Sequence, residues 1–201
     1  MPWGSAYSAF AARTGPGRGH PSRSLLALLN HTMTHPAPPP AGERLYSGDF
    51  TTAGFRPHGE FWCWMEGSLL MWVARGPFNL EALQAYGLTR RAAFERWQLD
   101  DRPLAALMHW QVSALMSPAA FDFYERSFTA FIQSRHQYVA VAWVGDSGVE
   151  GLDLMRLRYE PLFRRHGLAF ELFPDVQSAR DWAMARLRAA QARPGGSSPH
   201  R

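Results

Sequence analysis

Apolar runs of strand length alternate with segments of helical periodicity along residues 61–190, and no other feature of the sequence constrains the fold as strongly. Residues 104–110 and 138–144 are two such runs, each bounded by turn residues, as in strands that are buried on both faces. The segments between the runs place apolar residues on one helical face. Strands that alternate with helices predict an α/β domain with parallel strands.

The first part of the domain has a different pattern. Residues 61–65 alternate two tryptophans with smaller apolar side chains, Glu66-Gly67 supplies a turn, and residues 69–73 form a second apolar run. This arrangement predicts an antiparallel hairpin. The predicted fold class is therefore α/β, with a mixed sheet of about five strands that begins with the hairpin and continues as parallel βα units. About four helices flank the sheet, and right-handed crossovers join the parallel strands.

Capping residues mark the predicted helix starts. Asn79, Ser117 and Asp175 each precede a helical pattern, and all three residue types favour the N-cap position. Gly87 predicts an interruption of the first helix, after which Thr89 is able to cap a continuation. Pro161 predicts a kink or a break in the last turns of the third helix.

The composition changes at both ends of this domain. Residues 1–44 are rich in Gly, Pro, Ser, Ala and Arg without sustained periodicity, so we expect a disordered basic tail. Residues 45–190 form the single predicted domain, and residues 191–201 form a second Gly/Pro/Ser tail. Met33 is an alternative start that would remove residues 1–32, and the sequence leaves both starts open.

The distribution of charge argues against a nucleic-acid partner. All 21 basic residues are arginine, and with 17 acidic residues they give a formal net charge of +4. Residues 43–190 contain 16 arginines and all 17 acidic residues, so the basic surplus lies in the two tails. A phosphate-binding groove needs basic side chains concentrated on one folded face. The absence of lysine also excludes a P-loop, and an all-arginine composition is typical of GC-rich bacterial coding.

The cysteine and histidine patterns provide no catalytic or metal site. Cys63 is the single cysteine and lies between two tryptophans, where apolar surroundings keep a thiol protonated and inert. His109 is expected in a strand as a hydrogen-bonded core or strand-end residue, and no histidine pair has zinc-ligand spacing. We expect no enzyme activity, no metal and no cofactor. No apolar stretch reaches the roughly 18–20 residues of a membrane span, and the single cysteine fits the cytoplasm.

Three short segments carry a family resemblance together with the order of the elements: Gly76-Pro77-Phe78-Asn79-Leu80-Glu81, Ser117-Pro118, and Phe173-Pro174-Asp175 followed by Ala179 and Trp182. On these segments, residues 58–190 resemble the SpoIIAA-like branch of the STAS superfamily. The resemblance implies a small mixed sheet flanked by helices, as in anti-sigma-factor antagonists, with a loose kinship to CRAL-TRIO lipid-binding domains. It implies a non-enzymatic regulatory or protein-interaction domain. The alternative function is that of a binding module for a lipid or small apolar ligand.

The candidate site residues lie at the starts of two predicted helices. In phosphoregulated STAS proteins, a partner kinase phosphorylates a serine that begins the helix after the third strand, and Ser117 occupies a comparable place. The acidic residue and the glycine of that motif are missing from Leu115–Ala119, and an N-cap role alone also accounts for Ser117. Ser117 is thus a candidate phosphoacceptor or partner-surface position. Asn79 is the candidate helix N-terminal site for a partner or an anion.

Overall fold

The fold is taken from a computed structural model, which describes residues 42–51, 54–100, 102–134 and 138–192. The strands are β1 (Arg44–Tyr46), β2 (Glu60–Glu66), β3 (Leu69–Arg75), β4 (Leu104–Gln111), β5 (Tyr138–Val144) and β6 (Ala169–Phe173). The helices are α1 (Leu80–Trp97), α2 (Pro118–Ser134), α3 (Leu152–Arg165) and α4 (Val176–Gln191), and a 3₁₀ turn (Ser47–Phe50) follows β1. The predictions about Met33 and about disorder in residues 1–41 and 193–201 lie outside the described residues.

All six strands form one sheet in the order β1-β2-β3-β4-β5-β6. The pairs β1–β2 and β2–β3 are antiparallel, whereas β3 to β6 are parallel. This topology confirms the predicted α/β class, the N-terminal hairpin and the parallel βα units. The short edge strand β1 is an addition, and it begins at Arg44, the last residue that the sequence assigned to the tail.

The helices cover the two faces of the sheet unequally. In β4, the side chains of Ala106, Met108 and Trp110 pack with residues of α1, α2 and α3, whereas Ala105 and Leu107 pack with residues of α4. Successive side chains of a strand point to opposite faces, so these are two separate layers. We call the side with three helices the three-helix face and the other side the α4 face.

Large aromatic side chains fill the three-helix face. Trp143 packs between Trp110 at 4.7 Å and Tyr159 at 5.0 Å between ring centroids, and Trp72 packs on Tyr86 at 4.7 Å. Aromatic residues bury a large apolar area each, and such pairs add about 0.5–1.5 kcal/mol beyond the area term. This layer is the main core of the domain.

Small residues form the contact between the sheet and α4. Ala140 and Ala142 of β5 face Ala179 and Ala183 of α4, and all four are fully buried. Leu107 of β4 and Leu187 of α4 add larger apolar side chains to the same layer. Asp175 begins α4 as predicted, since its carboxylate accepts from the backbone N–H of Ser178 at 2.8 Å.

The predicted interruption of α1 at Gly87 is wrong, and α3 has no break at Pro161. α1 runs continuously through Gly87, and Thr89 is a buried interior residue whose hydroxyl donates to the carbonyl of Ala85 at 2.8 Å. A glycine inside a helix costs only about 1 kcal/mol, which the buried face of α1 offsets. α3 likewise runs through Pro161 to Arg165 without a break. Its last turns are held by the buried side chains of Leu162 and Phe163.

Candidate functional site

The carboxyl ends of β3, β4 and β5 meet at one edge of the sheet, where three loops are joined by backbone hydrogen bonds. Gly76 donates to the carbonyl of Ser113 at 3.1 Å, and Ala114 donates to the carbonyl of Glu150 at 2.8 Å. Gly76 is required there because a Cβ atom would lie 2.3 Å from the Ser113 oxygen.

A cleft of about 420 Å³ lies at this edge, between β3 and the loop that connects β1 to β2. Its volume falls in the range of ligand pockets, about 300–1,000 Å³. It is lined by Tyr46, Ser47, Gly48, Thr51, Arg56, Pro57, Gly59, Glu60, Arg75 and Gly76. Among these are two arginines and one carboxylate, so the lining combines both signs of charge.

A side-chain network links the cleft to the sheet. The Tyr46 hydroxyl donates to Glu60 Oε2 at 3.0 Å, and Arg75 donates from Nη1 to Glu60 Oε1 and from Nη2 to Gln111 Oε1, both at 3.4 Å. Glu60, Arg75 and Gln111 are register partners on β2, β3 and β4. Burial, followed by the hydrogen bond to Glu60, raises the pKa of Tyr46, so its hydroxyl stays protonated and donates.

The network continues into an aromatic group on the α4 face. The rings of Tyr46 and Trp62 stack with centroids 5.2 Å apart, and the Arg75 guanidinium lies 5.6 Å from the Trp62 ring centroid. α4 contacts mainly β4, β5 and β6. The side chains of Tyr46, Trp62 and Arg75 lie beside this helix and are only half-buried. We call Tyr46, Glu60, Trp62, Arg75, His109 and Gln111 the open strip.

His109 lies on the open strip, in the same cross-sheet row as Trp62 and Val73. It is in a strand as predicted, but its imidazole makes no hydrogen bond with another described residue. Partial burial lowers the pKa of His109, and the nearby charge of Asp146 opposes that effect. His109 is therefore mainly neutral at pH 7.

The side chain of Asn79 holds a loop in place. Its Oδ1 accepts from the backbone N–H of Ala82 at 3.0 Å and of His58 at 2.9 Å, and its Nδ2 donates to the Arg56 carbonyl at 3.1 Å. These bonds cap α1 and fix the loop that forms one wall of the cleft. The Asn79 side chain is thus engaged, which gives no support to its candidate role as an anion site.

Ser117 begins α2 directly beside Asn79. Its backbone N–H donates to the Phe78 carbonyl at 3.1 Å, and its hydroxyl oxygen accepts from the Ala120 N–H at 3.2 Å. The residue is exposed. The structure therefore brings both candidate helix starts together at the carboxyl edge and leaves the Ser117 side chain accessible.

Two further cavities have less suitable linings. A second cleft of about 390 Å³ follows β5 and is lined by exposed carboxylates, Asp146, Glu150 and Asp153. No group of three or more histidine, cysteine or acidic side chains among the described residues is arranged to hold a metal ion. A cavity of only about 30 Å³ lies inside the three-helix face, and that volume accommodates one or two water molecules.

Cys63 is fully buried on the three-helix face, as predicted for a small apolar core residue. Burial raises the pKa of its thiol far above the usual range, so the reactive thiolate is not formed near neutral pH. Cys63 thus lies on the opposite side of the sheet from the open strip.

Comparison with protein-family models finds no match, and searches of curated proteins and of solved structures also find none. No helix in the described part of the chain is long and apolar enough to cross a membrane. The STAS resemblance remains a prediction, and any proposal about function depends on the geometry of the cleft and the open strip.

Sequence reasoning missed Tyr46, Glu60 and Arg75 as site residues. The only signal in the sequence was a weak one: Glu60 and Arg75, of opposite charge, stand at the two ends of the predicted hairpin. With a turn at Glu66-Gly67, the hairpin register pairs those ends and places the two opposite charges together.

Proposed function

We propose that this chain is a non-enzymatic cytoplasmic domain that regulates or binds another protein. The partner docks on the open strip and extends into the cleft. This proposal follows the function that the STAS resemblance implies and adds a surface on which it operates.

The observation that carries the proposal is the grouping of Tyr46, Trp62 and Arg75 beside α4. Tryptophan, tyrosine and arginine are the residue types that contribute most binding energy at protein interfaces. Here they are half-buried and held together by ring stacking and by the Glu60 network. Because these contacts fix the side chains before binding, little conformational entropy is lost when a partner covers them.

The chemistry of the cleft favours binding over catalysis. Glu60, the one carboxylate among its described lining residues, already accepts hydrogen bonds from Tyr46 and Arg75. A general base needs a carboxylate oxygen that is free to accept the substrate's proton. Tyr46 and Arg75 act in the same network as donors, and such groups recognise a partner's acceptors.

Phosphorylation of Ser117 is the proposed means of regulation. Ser117 is an exposed residue at the first turn of α2, where the helix dipole stabilises added negative charge. The modification would therefore change the charge of the carboxyl edge without unfolding α2. Intact-mass measurement and peptide mapping of protein from its native cell test this step. A phosphopeptide that contains Ser117 is the expected result, and its absence under every growth condition would contradict it.

The lipid-binding alternative has no matching site in the described residues. An acyl chain needs a cavity far larger than the 30 Å³ inside the three-helix face. The 420 Å³ cleft is large enough for a small ligand, but charged side chains line it.

Affinity purification from the native cell tests the proposed function. The full chain is compared with Trp62→Ala and with Arg91→Ala, which removes an exposed arginine of α1 paired with Glu95. We expect a protein that copurifies with the wild type and with Arg91→Ala but is lost with Trp62→Ala. Recovery of the same proteins in equal amounts by all three chains would refute the proposed surface.

A further inference from the structure

The described lining of the cleft contains two arginines and one glutamate, and a second carboxylate, that of Asp49, lies close enough to the Tyr46 hydroxyl to affect its pKa. Arg56 is exposed at the rim, and Arg75 lies deeper, with its side chain 28% exposed. Both guanidinium groups are therefore reachable from solvent, and an occupant with an acidic group complements them.

The bonding of Arg75 is incomplete. Its two hydrogen bonds, to Glu60 and Gln111, are both 3.4 Å long, and its buried Nε has no partner among the described residues. A well-formed arginine–carboxylate pair has N···O distances of about 2.7–2.9 Å. The guanidinium is held against Trp62 but is not saturated by the groups around it.

Building on the proposed function, we propose that the cleft binds a carboxylate side chain from an acidic segment of the partner protein. Arg75 is the main cation, Arg56 is the cation at the rim, and the Tyr46–Glu60 pair keeps Arg75 in position. The planar guanidinium matches the planar carboxylate group, which accepts two parallel hydrogen bonds.

Glu60 accounts for the preference for a single negative charge. A carboxylate brought to Arg75 comes close to Glu60, and the two like charges repel each other. This repulsion is smaller for the single charge of a carboxylate than for the double charge of a phosphate. Removal of the Glu60 charge should therefore strengthen binding of the carboxylate.

The test is a titration of the full chain with acetyl-Gly-Glu-Gly-amide, acetyl-Gly-Gln-Gly-amide and acetyl-Gly-phosphoserine-Gly-amide at low salt, followed by ¹H–¹⁵N NMR. We expect the indole signal of Trp62 and the side-chain Nε signals of Arg56 and Arg75 to move with the glutamate peptide and not with the glutamine peptide. The phosphoserine peptide should bind more weakly than the glutamate peptide.

Four variants identify the side chains that bind the glutamate peptide. Arg75→Gln should weaken binding of the glutamate peptide about tenfold, as for loss of a charge-assisted hydrogen bond. Arg56→Gln, an exposed change that does not threaten folding, should weaken it by a smaller factor. Glu60→Gln should strengthen it, and Arg91→Gln should leave it unchanged.

Equal binding of the glutamine peptide, tighter binding of the phosphoserine peptide, or weaker binding by Glu60→Gln would overturn the proposal. The failures of the two proposals are distinguishable. If partner recovery depends on Trp62 but the glutamate peptide does not bind, only the carboxylate assignment is wrong. If the glutamate peptide binds at Arg75 but Trp62→Ala retains the partner, the assignment of the docking surface is wrong.

Discussion

The three-helix face and the α4 face share the strands β3, β4 and β5, but different side chains cover them. Against α1, α2 and α3 the sheet presents fully buried tryptophans such as Trp72 and Trp143, and nearly every large side chain there is covered. Beside α4 it presents alanines and then, past the helix, the half-buried side chains of Tyr46, Trp62 and Arg75.

Under the proposed function, this difference separates folding stability from recognition within one sheet. Burial of large apolar side chains supplies most of the free energy of folding, and the three-helix face contains most of them. The α4 face contributes less burial, so its open strip retains aromatic and charged groups that a partner can cover. Substitutions on the two faces should therefore have different consequences for the free energy of unfolding.

The largest expected effect is the contrast between two tryptophans on neighbouring strands. Trp72→Ala removes a residue that is 1% exposed in the three-helix face and should lower the free energy of unfolding by about 3–5 kcal/mol. Trp62→Ala removes a half-buried ring from the open strip and should cost about 1 kcal/mol, mainly its stacking on Tyr46. Urea unfolding of both variants measures the contrast. Equal losses would mean that the open strip is part of the core.

The contact between α4 and the sheet should tolerate no added volume. Ala183→Leu places a large side chain where α4 meets alanines of β5, and overpacking of this kind costs about 1–3 kcal/mol. The control is Ala185→Leu, at an exposed position of the same helix. Thermal unfolding should show a clear loss for Ala183→Leu and almost none for Ala185→Leu. Equal behaviour would show that α4 does not pack closely on the sheet.

A smaller effect is expected for the buried cation of the three-helix face. Arg90 is 4% exposed and lies over the Phe131 ring at 4.3 Å, while its Nε and Nη1 have no partner among the described residues. Replacement of a poorly paired buried charge by an apolar chain of similar length is often neutral or stabilising. Arg90→Met should change the free energy of unfolding by less than about 1 kcal/mol in urea titrations. A loss like that of Trp72→Ala would show that the charge itself is required.

The smallest expected effect is a change in how the free energy of unfolding depends on pH. Partial burial lowers the pKa of His109 below its value in the unfolded chain, where the ordinary value is 6.5. The unfolded state therefore takes up the proton first, and stability is lost as the pH falls through that range. His109→Gln should remove this part of the acid destabilisation, whereas His58→Gln, at an exposed position, should not. Unfolding midpoints measured from pH 7.5 to 5.5 test the difference, and identical pH profiles for wild type and His109→Gln would contradict it.

Local signals were sufficient to predict much of the fold. The strand-length apolar runs predicted β4 and β5, and the capping residues Asn79, Ser117 and Asp175 marked the starts of α1, α2 and α4. Each of these features depends on residues that are close in sequence. The continuity of α1 through Gly87 could not be predicted in this way, because packing of its buried face against the sheet outweighs the local cost of glycine.

The candidate site was harder to predict because it depends on strand register. Arg75 meets Glu60 across 15 residues of sequence and Gln111 across 36. Neither distance follows a motif, and a shift of one residue in either strand pair would move Arg75 to a different partner and face. The two helix starts singled out from the sequence do lie at the carboxyl edge, but the side chain of Asn79 serves the loop and cap there.

Isothermal titration calorimetry with the copurifying partner, on wild type, Trp62→Ala and Arg91→Ala alongside urea unfolding, separates the effect on binding from the effect on folding. We expect Trp62→Ala to weaken binding at least about tenfold while losing only about 1 kcal/mol of folding stability, and Arg91→Ala to be unchanged in both. Wild-type affinity in Trp62→Ala would contradict the claim that the open strip is the surface for recognition.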